Sequence, residues 1–89
     1  MIKEFTVIAQ DTYGHRKVTD LVNQIKNLKS SITFKNDEID RIVNAKSLIG
    51  VLSLVIKKGE KFTVCVFNNN EEQFFHDFVE IQKIMGVNK

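Results

Sequence analysis

One residue in this chain has the chemistry and the local setting to carry a phosphoryl group, and a second opens a short apolar run. His15 follows Gly14, precedes Arg16 and opens a run with helical periodicity. An imidazole there can accept a phosphoryl group on a ring nitrogen. A helix N-terminus offers unpaired backbone N–H groups and the positive end of the dipole to the phosphate oxygens, and the planar fork of a guanidinium suits a phosphate. The second residue is Ser47, which stands just before Leu48-Ile49-Gly50-Val51-Leu52. In the plain structural reading it is an N-cap, worth ~1 kcal/mol. The other histidine, His76, lies off the apolar stripe of the last helical run and reads as a surface residue. No carboxylate pair, nucleophile–base couple, glycine-rich phosphate loop or metal-ligand spacing is present. A stand-alone enzyme is therefore disfavoured, and no cofactor or metal is expected.

The elements that must position these residues can be read from periodicity. Ile2–Ala9 alternates Phe5, Val7 and Ala9 with Glu4, Thr6 and Ile8, which is the period of a strand. Gln10–Gly14 is rich in turn formers. Arg16–Lys29 places Val18, Leu21, Val22, Ile25 and Leu28 on one helical stripe. Ile32–Lys35 predicts a second strand, Asn36-Asp37 a hairpin turn, and Ile39–Val43 a third strand at a sheet edge. Lys61–Phe67 is the clearest strand, with Phe62, Val64 and Val66 on one face. Asn70 is a good N-cap for a last helix, with Glu71 and Glu72 in its first turn. Its stripe is Phe74, Phe78, Ile81 and Met85, widened by Phe75 and Val79, and Gly86 ends it.

The stretch Leu48–Ile56 is apolar on every face, so periodicity leaves two readings: a buried strand, or a short helix over Ser47–Leu52 with some apolar surface left outside. With the helix, the order is strand, helix, strand, strand, short helix, strand, helix. Strands with one polar side leave one sheet face to water, and the helices must cover the other. The fold class is α+β: an open-faced sandwich with a four-stranded antiparallel sheet and helices on one face.

Composition narrows the function. A chain of 89 residues at 43% hydrophobic has material for one modest core, so residues 1–89 are read as one domain. Net charge +2 is too small to imply nucleic acid by itself. The lone Cys65 can form no internal disulfide, which suits a reducing cytoplasm. No signal peptide is visible at Met1-Ile2-Lys3-Glu4, and the apolar run is far below the ~20 residues of a membrane helix.

The segment Asn44-Ala45-Lys46-Ser47-Leu48-Ile49-Gly50-Val51-Leu52-Ser53-Leu54 resembles the regulatory-serine region of HPr, the histidine-containing phosphocarrier family of the bacterial sugar phosphotransferase system. That family shows Lys-Ser, two apolar residues, Gly-Val, an apolar residue and Ser-Leu here, in order and without gaps. The resemblance extends over most of the chain and implies the same open-faced sandwich. It also implies a phosphoryl carrier, cytoplasmic, that takes phosphate from enzyme I and hands it to sugar-specific transporter domains. Ser47 would be the target of a dedicated serine kinase, whose product binds a transcriptional regulator. Leu48, Ile49 and Leu52 would form the exposed patch that partners meet, with Val51 and Leu54 in the core.

The chain departs from the family at the acceptor. HPr proteins carry Gly, an apolar residue, His, Ala, Arg, Pro and Ala. This chain has Tyr13-Gly14-His15-Arg16-Lys17-Val18-Thr19. Aligned on Arg16, Leu21 and Val22, the ungapped match runs back to Phe5 and Val7, puts Gly14 at the family histidine and His15 at the alanine. Lys17 replaces the proline that preorganises the first turn. The resemblance thus implies one of two proteins. One is a carrier whose acceptor, His15, has moved by one place beside Arg16. The other is a regulatory relative without the acceptor, a binding module controlled at Ser47. An RNA-recognition module is a more distant rival, because the open face of the best strand offers Lys61, Thr63 and Cys65 with only Phe67 aromatic.

Overall fold

The computed structural model describes residues 1–87. Its elements are β1 (Ile2–Ile8), α1 (His15–Ile25), β2 (Ser31–Asn36), β3 (Arg41–Asn44), α2 (Leu48–Leu52), β4 (Lys61–Phe67) and α3 (Glu71–Ile84). The four strands form one antiparallel sheet in the order β1-β4-β2-β3. Register follows side-chain parity. Phe5, Val64, Phe34 and Val43 lie in one row across the sheet, and Thr6, Thr63, Lys35 and Ile42 in the next. A slip of one residue would turn the first row to water.

The inward rows meet the helices in a core that includes Phe34, Phe62, Phe74, Ile25, Ile32, Val51, Leu54 and Ile81, all fully buried. Each such side chain contributes about 1.5–3 kcal/mol by leaving water. Phe34 and Phe62 meet edge to face at 5.2 Å, a geometry that adds to simple burial. The other sheet face is open, with Glu4, Thr6 and Ile8 exposed along β1. The expected α+β open-faced sandwich is therefore the observed architecture.

Several local boundaries differ from the sequence reading. The first helix begins at His15 and ends at Ile25, short of Lys29. Its C-cap is Lys26, and Leu28 is still buried because the following turn folds it back on Ile25. The hairpin does not turn at Asn36-Asp37. Asn36 belongs to β2 and is buried, donating from Nδ2 to the Leu54 carbonyl. The turn instead takes Asp37–Asp40, with Asp40 at φ 50°, which shifts β3 to Arg41–Asn44 and leaves Ile39 exposed. In α3 the stripe of Phe74 and Ile81 is buried as expected, but Phe75 and Val79 face solvent. The position between Phe74 and Ile81 on the buried face is Asp77, fully buried. Gly86 closes α3 at φ 75°, with its N–H donating to Lys83 O and that of Val87 to Gln82 O, the two bonds of a Schellman end.

Val55 adopts φ 51° although it is β-branched and 61% exposed. A left-handed conformation costs an L-residue about 1–2 kcal/mol, and little burial offsets it here. Its neighbours Leu54 and Ile56 are both buried, so the exposed Val55 sits between two core residues. Val55→Asn, a residue that tolerates this region, is expected to stabilise the fold by about 1 kcal/mol, a rise of about 4–8 °C in Tm by calorimetry.

Candidate functional site

The mouth of α1 is built from residues with no regular structure just before it. Tyr13 anchors the approach. Its N–H donates to Ile56 O at 2.9 Å, its ring is buried, and it meets Phe62 edge to face at 5.5 Å. Burial, with Asp11 close by, pushes the Tyr13 phenol up to about 12, so the ring stays neutral at physiological pH. Gly14 follows as the N-cap, extended, and no side chain caps the helix. The first intrahelical bond runs from Val18 N–H to Gly14 O. The amides of His15, Arg16 and Lys17 therefore precede the ladder, the expected orphan donors of a helix start, and no acidic residue stands in this first turn.

His15 is the first helical residue and is exposed. Side chains on a helix lean toward its N-terminus, so the imidazole belongs to the mouth. His15, Arg16 and Lys17 line one open depression of about 500 Å³ with Asp11, Thr12, Gly14 and Asp20. Among the described residues neither Arg16 nor Lys17 stands in an ion pair. The structure thus places His15 and Arg16 on the same open depression. Gly14 occupies the cap itself, and a Cβ there would meet nothing within 4 Å.

Ser47 is exposed and caps α2, its Oγ accepting from Gly50 N–H at 3.1 Å. A Cβ on Gly50 would lie 3.1 Å from that Oγ and 3.3 Å from Val43 Cβ. The glycine therefore lets the serine sit close over the first turn. Of the three patch residues, Ile49 is 80% exposed, whereas Leu48 and Leu52 are half-buried and pack against the core. Leu48 shares a groove of about 250 Å³ with Thr19, Val22, Asn23, Lys26 and Lys46. Thr19 Oγ1 in turn donates to His15 O at 2.8 Å. One turn of α1 thus links the His15 mouth to the Leu48 groove. The segment after α2 is tied to the mouth as well, through Tyr13 to Ile56 and through Lys58 N–H to Thr12 Oγ1 at 3.2 Å. Ser47→Ala is expected to cost about 1 kcal/mol in urea denaturation, and Ser47→Asp, which keeps a capping oxygen, under about 0.5.

A family model described as "PTS HPr component phosphorylation site" matches residues 2–84. The chain belongs to the HPr family. A phosphocarrier protein HPr from Lysinibacillus sphaericus is 31% identical over 85 residues, covering 96% of this chain and 94% of its relative. Among solved structures, HPr-C-His from Thermoanaerobacter tengcongensis is 27% identical with a TM-score of 0.71, covering 98% of this chain and 99% of that one. A Mycoplasma histidine-containing phosphocarrier protein, 24% identical and covering 93% and 91% of the two chains, has a TM-score of 0.77 and shares the fold. As an HPr-family chain it has its sheet and three helices in the arrangement of those structures. At the α1 mouth the structure has Gly14 at the N-cap and Lys17 in the first turn. Among the described residues no group of three His, Cys, Asp or Glu side chains could hold a metal, and no helix is long and apolar enough to cross a membrane.

Sequence reasoning missed Asp77. Its Oδ2 accepts from Lys29 N–H at 3.2 Å, Ser30 N–H at 2.7 Å and the Ser30 hydroxyl, and its Oδ1 accepts from Gln73 Nε2 at 3.0 Å. Asn68 Nδ2 donates to Ser30 Oγ at 3.0 Å and extends the network. Burial opposes the charge, but the Ser30 and Gln73 hydrogen bonds, with His76 nearby, hold the Asp77 carboxyl below its ordinary 3.8. The network joins α3 to the turn that ends α1, so it supports the helix that carries His15. The available signal was its spacing, three after Phe74 and four before Ile81.

Proposed function

We propose that this chain is a phosphoryl carrier of the sugar phosphotransferase system that accepts phosphate on His15 from enzyme I and delivers it to sugar-specific transporter domains in the cytoplasm. The observation that carries the reading is the exposed pairing of His15 with Arg16 at an uncapped helix start free of acidic residues. A ring nitrogen of His15 attacks phosphorus with its lone pair, forming the new P–N bond as the bond to the donor breaks. Arg16 and the orphan amides then meet the phosphate oxygens. Ile49, with Leu48 and Leu52 behind it, supplies the apolar neighbour on which partners dock. Phosphate on Ser47, added by a serine kinase, places a dianion beside that patch and changes which partner it suits.

A second reading is favoured by one observation: Gly14, not His15, holds the N-cap to which the ungapped family register assigns the acceptor. It makes the chain a regulatory binding module, controlled at Ser47 and read by a transcriptional regulator. Incubation with enzyme I and phosphoenolpyruvate, read by intact mass, separates the two. The carrier gains one phosphate, and His15→Ala abolishes the gain. An unchanged mass for the wild-type chain rejects the carrier and leaves the module.

A further inference from the structure

The first turn of α1 holds a cation that the carrier reading above does not use. Lys17 Nζ lies 5.9 Å from the centroid of the Tyr13 ring, within the range of a cation–π contact. Tyr13 is itself fixed, by burial, by its amide bond to Ile56 O and by the Phe62 ring. Because the phenol stays neutral, the ammonium meets the face of a neutral ring. Lys17 lines the same depression as His15 and Arg16. Asp11 and Asp20 share that depression, but among the described residues neither lies within ion-pair distance of Lys17. A lysine of the exposed first turn thus rests against the Tyr13 ring in the depression that His15 lines, outside any ion pair among the described residues.

We propose that Lys17, steered by the Tyr13 ring, is a second phosphoryl-binding cation that acts with Arg16 on the group carried by His15. The clasp restrains the first turn and adds a charge where phosphate oxygens arrive. The inference rests on the carrier reading, and its test keeps the two apart. Rates of phosphoryl transfer from enzyme I are measured against concentration of this chain for wild type, Lys17→Gln, Lys17→Arg, Tyr13→Leu and Tyr13→Phe, each with a thermal melt. Lys17→Gln is expected to lower the maximal rate about tenfold with KM within about twofold, and Lys17→Arg to restore it within about twofold. Tyr13→Phe keeps the ring face and should match wild type. Tyr13→Leu should approach Lys17→Gln. Lys17→Gln at the wild-type rate, with wild type phosphorylated, overturns the role of Lys17 alone. A wild type that takes no phosphate overturns the carrier reading and this inference with it.

Discussion

Replacing Arg16 with alanine is expected to slow phosphoryl transfer to His15 by about 100-fold, the loss seen when one preorganised charge-stabilising donor is removed, while Tm stays within about 2 °C. The two halves of that expectation have separate grounds. Arg16 is exposed and makes no ion pair among the described residues, so little folding energy rests on it. Arg16 nevertheless lines the same depression as His15, where charge on a transferring phosphoryl group would have to be met. Lysine at this position keeps the charge but loses the fork, so Arg16→Lys should fall between. Steady-state transfer assays with the melts alongside check both halves. The neighbouring Gly14 gives a complementary result. Its backbone is extended and a side chain there meets open space, so Gly14→His should fold normally and, by restoring the family pattern, take phosphate faster than wild type.

The largest effect on stability belongs to Asp77. Asp77→Ala removes the acceptor for the buried Ser30 amide and hydroxyl, and for the part-buried Lys29 amide and Gln73 side-chain amide. Stranding buried donors costs about 1–3 kcal/mol each time it is measured, and more where the lost partner was charged. A total of about 3 kcal/mol is expected, against a typical reserve of about 5–15 kcal/mol for a whole domain. Urea denaturation at neutral pH measures it. The same carboxylate gives the fold a pH dependence of known sign. Its folded pKa lies below the ordinary value of 3.8, so the folded state prefers the ionised form. The contribution is complete above 3.8 and is lost as pH falls below it through the lower folded value. Asp77→Asn should flatten that acid limb of the stability curve. Because Ser30 closes the turn after α1, the variant should also loosen the far end of the helix, visible as faster amide exchange over Ile25–Ser30.

Most of the architecture was legible because this sequence keeps its periods clean. Val7, Phe34, Val64 and their neighbours alternate without interruption, and the α1 stripe from Val18 to Ile25 is unbroken. Caps were legible for the same local reason: Ser47, Asn70 and Gly86 each do what their side chain, or lack of one, favours. What escaped depends on contacts between distant parts of the chain. Asn36 looks like a turn residue until Leu54 O gives it a buried partner. Asp77 looks like a surface residue until Ser30, 47 positions away, supplies its donors. Val55 gives no hint of a left-handed conformation, because a β-branched residue disfavours it. At the candidate site, residue types pointed to His15, Arg16 and Ser47 as candidates. The link from the α1 mouth to the Leu48 groove through Thr19 came only with the fold.

Locating the phosphate is the most direct test. The chain is phosphorylated with enzyme I and phosphoenolpyruvate, kept at neutral to alkaline pH, digested and sequenced by tandem mass spectrometry. The expected outcome is one phosphate, on His15, with His76 and Ser47 unmodified. No phosphate on any peptide, or phosphate on another residue that persists in His15→Ala, would contradict the assignment of His15 as the carrier.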